Sequence, residues 1–307
     1  MNICVVGAGA IGGWVAARLA LAGERVMALT SKGALAHIAL DEGGEVRAAQ
    51  LSSFQGAADI LIIAVKATAL TAAARSARTL AGPDTIIVPM LNGVPWWFVG
   101  NMRLNSVDPD GSIAEALPFE QILGCVVHAS CSRSIDGVVM VKHADKLIIG
   151  EPDGESSQRV ARIQALFERA GLRPDPTGNV RRAIWYKLWG NATINPLSAI
   201  TRATCDKILA DPGCRAWMLE GMAELAAIGA EVGCPIAESG EERMAVTARL
   251  GAFKTSMLQD VEAGRPIELE ALLGAPREIA RARGMATPAM DRLYGVTRLM
   301  AESLGLS

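Results

Sequence analysis

The chain has 307 residues, of which 50% are hydrophobic and 20% charged, and its formal net charge is −2. This length suits two domains, and the composition is that of a folded rather than a disordered protein. The small net charge and the absence of a long block of like charge predict no nucleic-acid partner. No stretch reaches the ~18 uninterrupted apolar residues of a membrane span, so no membrane partner is expected.

Residues 1–90 alternate between short apolar strands and helices. Strands are predicted at 2–6, 25–29, 59–65 and 85–89, and helices at about 11–22 and 68–80. A polar stretch, 41–53, separates the second strand from the third. This alternation predicts a doubly wound parallel sheet with helices on both faces.

The next part of the chain is less regular and leads to a predicted domain boundary. Strand-like pieces at 122–128, 137–143 and 146–149 follow the irregular stretch 93–121, and an amphipathic helix is predicted at 156–170. We expect these strands to extend the same sheet in antiparallel fashion. Prolines and glycines at 171–178 then mark the boundary, which gives domains 1–175 and 176–307.

Beyond about residue 179 the pattern is helical. Helices are predicted at 180–194, 197–210, 212–232, 239–263, 267–283 and 288–304. Pro196 is expected to end or kink the first of them. The expected fold class is therefore an α/β N-terminal Rossmann-type doubly wound domain followed by an all-α C-terminal domain.

A glycine-rich motif of the form GxGxxG joins the first strand to the first helix. It consists of Gly7, Ala8, Gly9, Ala10, Ile11 and Gly12. In this context the first glycine allows a tight turn, the second lets a pyrophosphate approach the backbone, and the third lets helix and strand pack closely. The helix N-terminus supplies free N–H groups for phosphates. The alternative is a glycine-rich turn that binds nothing.

The end of the second strand discriminates between dinucleotides. An NAD site usually has Asp or Glu there, to bond the ribose 2′-hydroxyl. This chain has Thr30, Ser31 and Lys32, two hydroxyls and a cation that suit a 2′-phosphate. The sequence therefore predicts NADP(H), with a solvated surface lysine as the alternative for Lys32.

Further polar residues stand where a ligand is expected. Lys66 directly follows the third main strand and Asn92 follows the fourth, and ligands of such sheets bind at the carboxyl ends of strands. The alternatives are a surface lysine and a plain Asn-Gly turn. Lys187, Asn191 and Asn195 form one polar stripe on a largely apolar helix, which requires polar partners such as a ligand or a hydrated groove.

Ser256 and Glu268 flank a turn around residues 264–266. Ser256 is expected near the end of one helix and Glu268 near the start of the next. Both could face one ligand. Taken singly, each also has an ordinary explanation, namely a helix serine and a carboxylate in a first helical turn.

These residues resemble the ketopantoate reductase (2-dehydropantoate 2-reductase) family over nearly the whole chain. The similarity rests on GAGAIGG at 7–13, VK at 65–66, NG at 92–93, KLWGNATINPLSAI at 187–200 and KTSMLQDVEAGRPIELEALLG at 254–274. It implies NADPH-dependent reduction of ketopantoate to pantoate, in pantothenate biosynthesis.

The resemblance also implies a role for each matching residue. Lys187 matches the catalytic lysine at the substrate carbonyl oxygen, and Glu268 matches the acidic residue that bonds the substrate hydroxyl. Substrate-binding positions are matched by Asn92, Asn191, Asn195 and Ser256. Cofactor-binding positions are matched by the glycine motif, Lys32, Lys66 and Asn92, with Ser31 beside them.

Two departures and several alternatives remain. Lys32 stands where the family often has arginine, and Trp96 and Trp97 either reshape the pocket or pack beneath residues 93–121. The alternative hypotheses are a reductase of another small 2-oxo acid, a non-catalytic NADPH-binding sensor and a hydroxy acid dehydrogenase of the 6-phosphogluconate type. The pair Lys187 and Glu268 argues against the sensor, and KLWGNATINPL favours the reductase.

The remaining expectations concern partners, metals and location. The six cysteines form no CxxC pair and have no histidine cluster beside them, so we expect no metal site and reduced, mostly buried thiols in a cytoplasmic protein. The expected partner is a small 2-oxo acid. A homodimer formed through the helical domain is left open.

Overall fold

The computed structural model describes residues 1–100, 102–249 and 251–306, and the chain divides into two compact units. The first contains residues 1–91 and 110–181, and the second contains 92–109 and 182–307. The sequence-based boundary lay at 175/176 and kept the segment 92–109 in the first domain. In the structure this segment joins the helical unit, because its buried aromatic residues need apolar partners there: Phe98 stacks on Trp185 with 5.5 Å between ring centroids.

The first unit is built on two sheets. Its strands are β1 (Asn2–Val6), β2 (Arg25–Thr30), β3 (Gly33–Ala34), β4 (His37–Glu42), β5 (Glu45–Gln50), β6 (Ala58–Ile63), β7 (Ala81–Pro89), β8 (Gly124–Arg133), β9 (Val139–Gly150) and β10 (Pro174–Pro176). Its α-helices are α1 (Ala10–Leu21), α2 (Leu70–Arg78), α3 (Ser112–Ala116) and α4 (Gln158–Arg169).

The first sheet has the strand order β3-β2-β1-β6-β7, and β1 pairs in parallel with both β2 and β6. The chain order reverses at β1, which is where ligands of doubly wound sheets bind. The central strands β1 and β6 are apolar because helices and loops cover them: Ile3, Val5 and Ile62 are fully buried. The predicted Rossmann-type fold class is confirmed.

The second sheet differs from the sequence-based expectation. Strands β8 and β9 do not extend the first sheet; they form a second one of order β10-β9-β4-β5, with β8 paired to β9. The predicted polar stretch 41–53 contains most of the hairpin β4–β5, whose turn uses the positive φ angles of Gly43 and Gly44. This sheet packs on α1, where Gly13 leaves room for Val139. A Gly-Gly pair between two short runs is the signal that predicts such a hairpin.

Every regular element described in the second unit is helical, as predicted. Its α-helices are α5 (Val180–Thr201), α6 (Cys205–Ala210), α7 (Pro212–Glu231), α8 (Gly240–Ala248), α9 (Ser256–Glu262), α10 (Ala275–Ala282) and α11 (Pro288–Leu304). One turn of π-helix, Glu270–Gly274, precedes α10. The predicted helix 239–263 is two helices, and its Leu250 lies outside the described residues, as do Asn101 and Ser307.

Helix α5 continues through Pro196, so it does not end there, which was one of the two expected outcomes. A proline inside a helix costs about 3 kcal/mol. Complete or near-complete burial of Leu197, Ser198 and Ala199 on the following turn offsets that loss. The helix ends instead at Thr201, before Arg202 adopts a φ of 58°.

Two tryptophans fix α5 against α7. The indole N–H groups of Trp185 and Trp189 donate to the carbonyls of Leu225 and Met222, at 3.0 and 2.8 Å. Gly229 makes the close approach possible, because a Cβ there would lie 2.4 Å from Trp185 Nε1. The polar stripe of α5 is therefore carried by a rigidly packed helix. None of the described helices has the length and apolar character needed to cross a membrane.

Candidate active site

The glycine-rich loop forms a tight turn at the end of β1. Gly7 has a φ of +96°, and the N–H groups of Gly7 and Ala8 both donate to the carbonyl of Leu29, at 2.9 and 3.0 Å. A residue with a side chain would be strained at Gly7. A Cβ at Gly7 would also lie 2.6 Å from the carbonyl oxygen of Ala64 on the neighbouring strand segment.

The other two glycines of the motif meet opposite surroundings. A Cβ at Gly12 would lie 2.2 Å from the carbonyl oxygen of Gly7, so Gly12 is needed for close packing of α1 on the loop. A Cβ at Gly9 would meet no described atom within 4 Å. Open space at the N-terminus of α1, beside unshielded backbone, is the cradle that a pyrophosphate requires. The loop therefore fits a dinucleotide.

The turn at the end of β2 carries hydroxyl groups and a lysine. Thr30 closes the turn: its hydroxyl donates to the carbonyl of Gly33 at 3.0 Å and accepts from the backbone N–H of Lys32 at 3.2 Å. Ser31 and Lys32 are exposed beside it. The turn presents a hydroxyl and an ammonium group and no carboxylate.

Lys66 and Arg133 add two cations to the same unit. Lys66 is half-buried and begins the short turn that follows β6, next to the strand that carries the glycine loop. Arg133, at the end of β8, donates from Nη1 to the carbonyl of Ala8 at 2.9 Å. Arg133 was not among the predicted site residues, because no local sequence pattern signals that the second sheet brings this strand end to the loop.

In the second unit, three predicted residues from distant parts of the chain form one hydrogen-bonded row. Lys187 Nζ donates to Asn92 Oδ1 at 3.0 Å, and Asn92 Nδ2 lies 3.4 Å from Glu268 Oε2. An ammonium group only donates and a carboxylate only accepts. Lys187 and Glu268 therefore fix the orientation of the Asn92 amide, with Oδ1 towards the lysine and Nδ2 towards the glutamate. Glu268 is only 5% exposed, which strengthens its electrostatic interactions.

The stripe predicted on α5 is present, since Lys187, Asn191 and Asn195 lie on one continuous helix. Lys187 and Asn191 are half-buried, and Asn195 is buried. Ser256 was placed near the end of a helix, but it is the first residue of α9, after the capping residue Thr255. The missed helix start follows from Thr255, whose hydroxyl accepts the N–H of Leu258. Ser256 itself is exposed.

Trp96 and Trp97 are 4% and 3% exposed. Burial to this degree favours the packing alternative over a reshaped pocket, since side chains that lined an open pocket would retain more exposure. Both lie in the segment 92–109, which the helical unit includes.

The cysteines are all free thiols. Burial raises the pKa of Cys4 and Cys131 to about 12 and that of Cys205 to about 11, so these thiols stay protonated at neutral pH. Among the described residues, no group of three or more His, Cys, Asp or Glu side chains could hold a metal ion.

Comparison with known proteins identifies the family. The family model "Ketopantoate reductase PanE/ApbA" matches residues 3–154, and the model of the C-terminal part of the same family matches residues 179–301. The chain belongs to the ketopantoate reductase family. It is an oxidoreductase, and the family is NAD(P)-dependent. Its substrate is therefore a small molecule.

Individual relatives agree over the full length. A 2-dehydropantoate 2-reductase of Mesorhizobium japonicum is 37% identical, and the match covers 99% of both chains. A solved structure from Ralstonia solanacearum MolK2, named as a candidate ketopantoate reductase, is 46% identical with a TM-score of 0.94, covering 100% of this chain and 99% of that one. A D-mandelate dehydrogenase bound to NADH and anilino(oxo)acetate has a TM-score of 0.85 at 19% identity over 100% of both chains, which shows the shared fold alone.

Proposed function

We propose that this protein catalyses the NADPH-dependent reduction of 2-dehydropantoate to pantoate, a step of pantothenate biosynthesis. The observation that carries the proposal is the hydrogen-bonded row of Lys187, Asn92 and Glu268 in a member of this family. An ammonium group held by an amide, with a buried carboxylate behind it, suits the charge changes of ketone reduction.

Lys187 is the proposed catalytic acid. NADPH, when bound, supplies the hydride. Reduction of the ketone develops negative charge on its oxygen, which a cationic lysine at that oxygen stabilises and protonates. The bond from Lys187 Nζ to Asn92 Oδ1 helps to orient the ammonium group. An ammonium group held in this way loses less entropy when it engages the reacting oxygen.

Glu268 is the proposed second catalytic residue. Its carboxylate accepts from Asn92 and, in this proposal, from a hydroxyl of the substrate. Asn191, Asn195 and Ser256 are proposed to supply hydrogen-bond donors for the rest of the substrate, including its carboxylate. The half-burial of Asn191 and the exposure of Ser256 support this, since a ligand can reach both.

NADPH is the proposed cofactor. The backbone of Gly7, Ala8, Gly9, Ala10, Ile11 and Gly12 is proposed to hold its pyrophosphate, supported by the open space at Gly9. Ser31 and Lys32 are proposed to bind the 2′-phosphate, and Lys66 and Asn92 are proposed to lie near the nicotinamide end. Arg133 adds positive charge beside the glycine loop.

We further propose a cytoplasmic location, in keeping with the free thiols. A homodimer is one prediction for the oligomeric state. Light scattering of the purified protein would test it.

The test is NADPH oxidation by purified protein, followed at the nicotinamide absorbance band with ketopantoate and a panel of other 2-oxo acids. We expect Lys187→Ala to lower kcat by about 1,000-fold. Lys207→Ala, at an exposed lysine of the same unit, is the matched control. Preferred turnover of another 2-oxo acid would replace the substrate. Tight NADPH binding without turnover of any of them would overturn the reductase proposal.

A further inference from the structure

We propose that the π-helical turn Glu270–Gly274 is a docking site for the Asn92–Gly93 turn, and that it positions Asn92 between Lys187 and Glu268. Ala271, Gly93 and Pro276 are then positioning residues of the active site. The inference rests on the proposed function, because the position of Asn92 matters only if Lys187 and Glu268 act on a substrate.

The first step concerns a helix carbonyl that has lost its usual donors. In an α-helix the N–H of Ala275 would donate to the carbonyl of Ala271, four residues back. Here it donates instead to the carbonyl of Glu270, five residues back. The next residue, Pro276, has no N–H to continue the five-residue pattern. The carbonyl of Ala271 is therefore available to another segment.

The backbone after Asn92 supplies the missing donor. The N–H of Val94 donates to the carbonyl oxygen of Ala271 at 2.8 Å. Val94 is only 1% exposed, so the bond is shielded from water and its loss would leave two buried polar groups unpaired. The sequence thus leaves the Ala271 carbonyl as an acceptor in the helix and places a donor, the N–H of Val94, two residues after Asn92.

Gly93 sets how closely the two segments approach. A Cβ at Gly93 would lie 2.4 Å from the carbonyl oxygen of Ala271, closer than any real side chain allows, and its φ of +78° also favours glycine. The Asn-Gly pair at 92–93 therefore forms a turn and also allows close packing on Ala271. It brings the Asn92 amide within reach of both partners.

The same helical stretch carries Glu268 and anchors the segment at a second point. The N–H of Leu272 donates to the carbonyl of Glu268 at 3.2 Å, so Glu268 lies one turn before the dock. Further along the segment, the N–H groups of Asn105 and Ser106 donate to the Glu278 carboxylate at 2.7 and 2.8 Å. Two anchors on one helical stretch hold the segment in register with Glu268.

The first experiment compares Gly93→Ala with Gly100→Ala. Gly100 lies in the same segment and has a φ of +60°, but a Cβ there would meet no described atom within 4 Å. Its variant therefore reproduces the backbone strain without the clash. We expect Gly93→Ala to lower kcat about 100-fold, as a displacement of about 1 Å does at an active site, and Gly100→Ala to stay within about twofold of wild type.

A double-mutant cycle tells positioning from a general structural effect. If Gly93 acts through Asn92, Gly93→Ala should change kcat by less than about threefold in an Asn92→Ala background. Equal losses of kcat in both backgrounds would overturn the proposal. Gly93→Ala should not change the Kd for NADPH when the two proteins compared share the same residue at position 92, since the glycine loop belongs to the first unit.

Pro276→Ala tests the dock without a clash. It restores an N–H that can donate to the Ala271 carbonyl in competition with Val94. Hydrogen exchange of the Val94 amide, measured by NMR, should then accelerate in both Gly93→Ala and Pro276→Ala, with a smaller loss of kcat in the latter. This readout needs no substrate, so it stands even if the wild-type protein reduces no 2-oxo acid and the proposed function fails. Unchanged exchange in both variants, or faster exchange with unchanged kcat, would overturn the inference.

Discussion

The two units build their candidate sites from different materials. In the first unit the site is mostly backbone, and three glycines arrange N–H groups and open space around the start of α1. In the second unit it consists of side chains from residues 92, 187 and 268, which are far apart in the chain. A backbone site depends on the absence of side chains at its glycines, whereas a side-chain site depends on the chemistry of each group.

The comparison leads to different expectations for substitutions in the two units. In the glycine loop, an added methyl group should act through space and alter binding or packing. In the row of Lys187, Asn92 and Glu268, a change of charge at constant size should act on the chemical step. Kinetic constants separate these effects, because a loss confined to kcat reflects an interaction made in the transition state.

After Lys187→Ala, the largest effect expected in this comparison is that of Glu268→Gln. Glutamine keeps the size of the side chain and an oxygen that accepts from Asn92, but it removes the negative charge. Since hydrogen bonds to a charged acceptor are about twice as strong as neutral ones, we expect the row to loosen and kcat to fall on the order of 100-fold. NADPH oxidation at saturating substrate measures the loss.

Glu231→Gln, at an exposed carboxylate on α7, is the control and should behave as wild type. The comparison predicts that Glu268→Gln leaves the Kd for NADPH unchanged. If Glu268→Gln instead weakened NADPH binding and left kcat intact, the division of roles between the two units would be wrong.

The sequence predicts the fold well where the local pattern decides it. The strands at 2–6 and 85–89 and the helix at 212–232 agree with β1, β7 and α7 to within a few residues. The disagreements come from tertiary context. Burial carries α5 through Pro196, and the pairing of β9 with β4 diverts the later strands into a second sheet.

The candidate sites differ in the same way. The glycine motif is readable from six consecutive residues because its geometry is local. Nothing local indicates that Asn92 meets Lys187 and Glu268, or that Arg133 reaches the glycine loop. Resemblance to a family indicated the first of these groupings, and neither sequence nor resemblance indicated Arg133. The roles of these residues stay predictions until variants are measured.

The next effect in size tests the backbone site with two alanines three positions apart. Gly9→Ala places its Cβ in open space, so the free energy of unfolding should change by no more than about 1 kcal/mol. The methyl group would occupy the pyrophosphate position, and the loss of charge-assisted hydrogen bonds should raise the Kd for NADPH on the order of 30-fold.

Gly12→Ala is the matched variant with the opposite outcome. Its Cβ would clash with the Gly7 carbonyl oxygen, so the free energy of unfolding should fall by about 1–3 kcal/mol. Chemical denaturation and NADPH fluorescence titration distinguish the two. Equal losses of stability would contradict the open space at Gly9, and an unchanged Kd for NADPH in Gly9→Ala would show that this space is not a ligand cradle.

The smallest effect concerns the one part of the backbone site that depends on a side chain. If Lys32 binds the 2′-phosphate, Lys32→Ala should raise the KM for NADPH about tenfold, the equivalent of 1.4 kcal/mol, and leave the KM for NADH unchanged. Lys32→Arg should retain or improve the preference, because guanidinium binds phosphate in bidentate fashion. Parallel changes with both cofactors would instead assign Lys32 to the solvated surface. Phosphate discrimination would then fall to other groups near the end of β2, of which the exposed Ser31 is the first to test.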